Sequence, residues 1–180
     1  MTKLLTDIPG FERGRLHYIY GSAKQPKIIF AARLIVELRR KYCTSVAYFS
    51  THGTAGDVED FQRDRTGLTG ALYAEDLESN DCGSLCCKAV EMIDRKFVRA
   101  IIVDCIEGLD VKGFDGGIRA RRNEVETCLQ RLASTKNVPV LVFCPGKKTR
   151  NDNMKVIYPY LGEILPQMSG DGIDESDGRA

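Results

Sequence analysis

Four short apolar runs constrain this chain more than any other feature: "LHYIY" (16–20), "SVAYF" (45–49), "RAIIVDC" (99–105) and "VPVLVFC" (138–144). Each is rich in β-branched or aromatic residues and apolar at most positions, the pattern of strands covered on both faces. Between the runs, apolar residues recur at helical spacing. Over 26–41, Ile28, Ala32, Ile35 and Leu38 form one stripe, while Arg33, Glu37, Arg40 and Lys41 lie mostly off it. Pro26 suits the first helical position, where no backbone N–H is needed. Leu85, Ala89, Met92, Ile93 and Phe97 predict a helix over 84–97, and Val125, Leu129 and Leu132 another over 119–135. Strands alternating with helices imply crossover units, hence an α/β three-layer domain on a mainly parallel central sheet. The stretch "KVIYPYLGEIL" (155–165) predicts one more strand, at an edge because Pro159 interrupts it.

The chain has 180 residues, 43% hydrophobic and 28% charged, enough for one sizeable core. A single domain is expected over 1–166, followed by an acidic, disordered tail over 167–180 that lacks large apolar residues. The net charge of +1 gives no whole-molecule field for nucleic acid or an anionic membrane, so any such binding needs a local patch. The opening "MTKLLTDIPGFERGR" lacks a signal peptide's apolar core, and no stretch approaches the roughly 18 apolar residues of a membrane span. A soluble, cytoplasmic protein without membrane contact is expected. Seven cysteines without a regular framework, with Cys43, Cys105 and Cys128 in apolar contexts, fit reduced thiols in a reducing compartment.

One loop raises a functional question. "GSAKQPKIIF" (21–30) lies between the first strand and the first helix, where a phosphate-binding loop would sit. Against G-x-x-x-x-G-K-[ST] it supplies Gly21 and Lys27 but has Pro26 and Ile28 at the other two fixed positions. The missing glycine permits a backbone shape open to few residues, and the missing hydroxyl is a magnesium ligand. Pro26 also removes an N–H that would cradle phosphate. The loop alone leaves two readings open, a former phosphate site or an ordinary turn that keeps a lysine.

Several stretches together resemble the recombinase branch of the RecA-like ATPases, especially archaeal RadA, RadB and the KaiC-type relatives. "GFERGRLHYIYGSAKQPKIIFAARLIVEL" is similar to that family's first strand, phosphate loop and helix, with the Gly-x-Leu lead-in at Gly14, Arg15 and Leu16. "SVAYFSTHGT" resembles the strand that leads to the catalytic glutamate. "RAIIVDCIEGL" looks like the Walker B strand, with Asp104 in the place of the magnesium-linked carboxylate, and "RRNEVETCLQRLASTKNVPVLVF" like the long helix and following core strand. The resemblance covers roughly residues 10–165 in the family's order and implies a RecA-like fold.

The departures bear on activity. His52 stands where the resemblance places the catalytic glutamate, Ser50 replaces the acid two residues earlier, and Cys144 and Pro145 replace the polar sensor pair. Phosphoryl transfer needs positioning and charge neutralisation by several parts at once, so their joint loss implies no hydrolysis and no cofactor. Gly21, Lys27 and Asp104 are then the degenerate remnant of a nucleotide site. Alternatively, Asp104 caps the next turn and His52 is a turn residue. "CGSLCC" (82–87) lacks the second ligand pair that a zinc site needs.

Arg119, Arg121 and Arg122, then Lys147, Lys148 and Arg150, fall where the resemblance implies two DNA-contacting loops; solvated surface charge is the other reading. The resemblance implies a catalytically inactive paralogue that binds a RecA/RadA-type recombinase or paralogue in homologous recombination and DNA repair, with weak contact to single-stranded DNA. The alternatives are a weak nucleotide-binding ATPase of the RecA/KaiC type, and a non-catalytic subunit of a RecA-like ring unrelated to DNA.

Overall fold

The computed structural model describes residues 11–21, 31–32, 34–36, 38–39, 45–66 and 72–145. Among these residues five strands form one sheet: β1 (Leu16–Gly21), β2 (Ser45–Ser50), β3 (Leu72–Asp76), β4 (Val98–Asp104) and β5 (Val140–Pro145). Their spatial order is β1-β5-β4-β2-β3, and every pairing is parallel. The helices are α1 (Ala55–Thr66), α2 (Cys82–Lys96) and α3 (Ile118–Lys136), with a 3-10 turn at Ile106–Gly108. Residues 31–32, 34–36 and 38–39 are helical, within the helix expected over 26–41. The expected strand at 155–165 and the tail lie outside the described residues.

Alternation along the strands builds the layers, because successive side chains leave opposite faces. Tyr18, Ala47, Phe49, Ile101, Val103, Val140 and Val142 meet Leu85, Ala89 and Ile93 of α2 and Val125, Leu129 and Leu132 of α3. On the other face, Ile19, Val46, Tyr48, Ala100, Ile102, Leu141 and Phe143 meet Ala31, Ala32, Leu34, Ile35 and Leu38, together with Ala55 and Val58 of α1. The result is a three-layer α/β domain with the layout of a RecA-like fold. Both faces of β2 and β4 are buried, as their unbroken apolar runs require.

Local chemistry sets the helix limits. Asp81 caps α2, its Oδ2 accepting from Ser84 N at 2.8 Å and Ser84 Oγ at 2.9 Å, while its Oδ1 accepts from Lys112 N at 3.0 Å. α2 therefore begins two residues before the expected start. It ends at Phe97 and α3 ends at Asn137, both left-handed cap residues that return their N–H groups to the preceding turn. Lys136 of α3 reaches Asp94 of α2 at 2.7 Å, tying the ends of the two helices together.

Two elements had no counterpart among the expectations. β3, "LYAED", is half-buried and ends in two acids, so it lacks the apolar run of a central strand. Among the described residues of α1, "AGDVEDFQRDRT", Ala55, Val58 and Gln62 are buried, too few positions to produce a helical stripe in a polar segment.

Candidate functional site

Parallel strands deliver their carboxyl ends to one edge, where open α/β sheets bind ligands. At that edge lie Gly21 of β1, Ser50 of β2, Asp76 of β3, Asp104 of β4 and Cys144 of β5. β5 separates β1 from β4, so the strands carrying Gly21 and Asp104 stand two spacings apart, about 9–10 Å.

Asp104 is buried at 4% exposure, and its Oδ2 accepts the Tyr48 hydroxyl at 2.9 Å. The donor of that bond fixes the next ones. With the Tyr48 proton given to Asp104, the Thr54 hydroxyl, 3.1 Å away, must donate to Tyr48 Oη. The Ser50 hydroxyl, 3.0 Å from Thr54 Oγ1, then donates to Thr54. Ser50 Oγ in turn accepts the N–H groups of His52 and Thr54, each at 3.1 Å. A directed chain thus runs from the turn after β2, through three hydroxyls, to the Asp104 carboxylate. Burial first, then the nearby Asp104 and its hydrogen bond, raise the Tyr48 phenol far above its ordinary value against the lowering effect of the Thr54 hydrogen bond, so it stays a donor.

The turn after β2 is pinned from several sides. Thr51 N donates to Asp104 O at 2.7 Å, and Thr51 Oγ1 accepts from Cys105 N at 3.1 Å. Asp76 Oδ1 accepts from Ala55 N at 3.0 Å and so caps α1 from the neighbouring strand. Gly53 has φ of 74°, a left-handed geometry that glycine adopts without strain. His52, exposed in the bend, brings Nε2 to 3.1 Å from Cys105 Sγ. The peptide between Asp104 and Cys105 is cis.

Of the residues singled out in the sequence, Gly21 and Asp104 reach the same edge. Lys27, Lys147, Lys148 and Arg150 lie outside the described residues, as do Pro26 and Ile28. Arg119 is exposed on the first turn of α3. Arg121 pairs with Asp110 at 3.1 Å. Arg122 pairs with Glu126 at 3.0 Å and Glu107 at 3.4 Å, and its Nη2 comes to 3.9 Å from Cys144 Sγ, so it joins α3, the 3-10 turn and β5. Phe143 is buried in the core and offers no stacking surface. In "CGSLCC", Cys82 is buried, Cys86 partly buried and Cys87 exposed. Among the described residues no group of three or more His, Cys, Asp or Glu is placed to hold a metal ion.

The carboxylate of Asp104, to which the resemblance gives a magnesium-linked role, is covered, and its Oδ2 holds a tyrosine hydroxyl. Sequence reading missed Tyr48, Thr54 and Cys105 as members of this edge. Their sequence signals, a tyrosine two residues before a strand end and a cysteine after an aspartate, gain meaning only once the strand register is known. No protein-family model matches the chain, and no curated protein matches it. The fold and edge define a class, an α/β domain of RecA-like layout with a hydroxyl network at the carboxyl edge of its sheet. Among the described residues, no helix is long and apolar enough to cross a membrane.

Proposed function

We propose that the chain is a catalytically inactive RecA/RadA-family paralogue that acts by binding a RecA/RadA-type recombinase or related paralogue in homologous recombination and DNA repair. The bond from Tyr48 to Asp104 carries this reading. A carboxylate that organises magnesium needs its lone pairs directed at the metal's ligand sphere, and here Oδ2 is committed to a phenol inside the fold. Ile28 and Pro26 in the sequence, with His52, Cys144 and Pro145, remove the other parts that phosphoryl transfer needs. What persists under this reading is the scaffold, which can still present surfaces to a partner of the same fold. Cytoplasmic location and weak contact with single-stranded DNA belong to the same proposal.

The test is recovery of the tagged chain at native abundance from its own cells, with the bound proteins identified by mass spectrometry. Specific enrichment of a RecA-fold recombinase or paralogue is expected. Enrichment of an RNA-modifying assembly instead would replace this reading with that of a non-catalytic ring subunit.

A further inference from the structure

We propose that Cys105 is a built site of oxidation by small hydroperoxides, with His52 as the group that takes its proton. Three observations meet there. Cys105 Sγ and His52 Nε2 are 3.1 Å apart, within proton-transfer reach. Both partners are held by their backbones: Cys105 N donates to Thr51 Oγ1 at 3.1 Å, and His52 N to Ser50 Oγ at 3.1 Å. Cys105 sits immediately past the carboxyl end of β4, and His52, which is exposed, two residues past that of β2. The second histidine of the chain, His17, lies in β1 and donates to Glu12 O, so the thiol–imidazole pair is particular to this edge.

The environment also selects the reactant. Cys105 is 3% exposed and belongs to the core cluster that also holds Phe143, Ile102 and Tyr48, with His52 Nε2 3.1 Å from its sulfur. At so covered a sulfur, a molecule the size of hydrogen peroxide reaches the thiol more readily than a peptide disulfide does. The reaction balances within the pair. The Cys105 proton passes to Nε2, and the thiolate attacks one peroxide oxygen and breaks the O–O bond. The departing hydroxide takes the proton from the imidazolium and leaves as water. Sulfur is oxidised to sulfenic acid and the peroxide is reduced, with two electrons transferred. This inference does not depend on the recombinase reading.

The test uses the whole reduced chain. It is exposed to hydrogen peroxide, quenched with catalase, then unfolded in denaturant containing dimedone, so that trapping does not depend on access; the Cys105 and Cys87 peptides are quantified by mass spectrometry. In the folded chain the Cys105 adduct should form about tenfold faster than that of exposed Cys87, and His52→Gln should slow it by about tenfold. Peroxide treatment of wild-type chain already in denaturant should bring the two rates together, which tests the role of the fold without a variant. Equal rates at Cys105 and Cys87 in the folded chain, an unchanged rate in His52→Gln, or a preference that survives unfolding would each overturn the proposal.

Discussion

The Tyr48 hydroxyl donates to Asp104 Oδ2 at 2.9 Å across the β2–β4 pair, as a diagonal contact: the direct register partners are Tyr48 with Ile102 and Ser50 with Asp104. Tyr48 is fully buried and Asp104 nearly so. Tyr48→Phe keeps the ring's packing and removes the donor, leaving a buried carboxylate without that hydrogen bond. A loss of about 2 kcal/mol is expected in urea unfolding. Loss under about 0.5 kcal/mol would mean that the bond contributes little to the edge.

His17 makes stability depend on pH. Burial is the largest cause of its lowered pKa, outweighing the hydrogen bond it donates to Glu12 O. Since the folded pKa lies below the ordinary 6.5, the unfolded chain binds the proton more readily. The stability from keeping His17 neutral is therefore present in full above 6.5 and falls as pH drops from there toward the folded pKa. Urea midpoints measured from neutral pH into mild acid should decrease, and His17→Phe should flatten that slope over the same range.

The cap of α2 gives a third expectation. Asp81 holds the N–H groups of Lys112 and Ser84, which lower its pKa in that order of effect. Asp81→Ala should cost about 1 kcal/mol, and Asp81→Asn much less, since an amide oxygen also caps. The acid's share is present above its unfolded pKa and is lost as pH falls through the folded one.

Much of the architecture was legible because four strands are buried on both faces, which forces apolar runs such as "RAIIVDC". β3 and α1 were not, because an edge strand ending in Glu75 and Asp76 and a helix whose buried residues, among those described, are Ala55, Val58 and Gln62 carry weak periodicity. The early start of α2 had a signal in Asp81 and Ser84, the spacing of a side-chain cap. Gly21 and Asp104 were legible as candidates. The pairing of Tyr48 with Asp104, and of His52 with Cys105, was not, since each joins residues more than 50 apart whose meeting depends on the β2–β4 register.

The basic residues divide by what they touch. Arg121 and Arg122 are engaged with Asp110, Glu107 and Glu126, which offsets their charge locally. Arg122→Ala should thus lower stability by up to about 1 kcal/mol, in keeping with partly exposed pairs, and change DNA affinity little. Anisotropy with labelled single- and double-stranded oligonucleotides should show weak binding to single strands at low salt that fades toward physiological salt. Lys147→Ala/Lys148→Ala/Arg150→Ala should reduce it. Binding absent at low salt, or unchanged by the triple substitution, would remove DNA contact at 147–150.

The central claim, that the loop over 21–28 is a former phosphate site that no longer works, is tested most directly by titrating magnesium ATP into the purified chain in a calorimeter, with phosphate release followed in parallel. No magnesium-dependent binding at physiological nucleotide concentration and no turnover are expected, and Pro26→Gly/Ile28→Thr should not restore turnover while His52 and Pro145 remain. Affinity of about 1 mM or tighter that weakens in Lys27→Ala, or turnover abolished by Asp104→Ala, would contradict it.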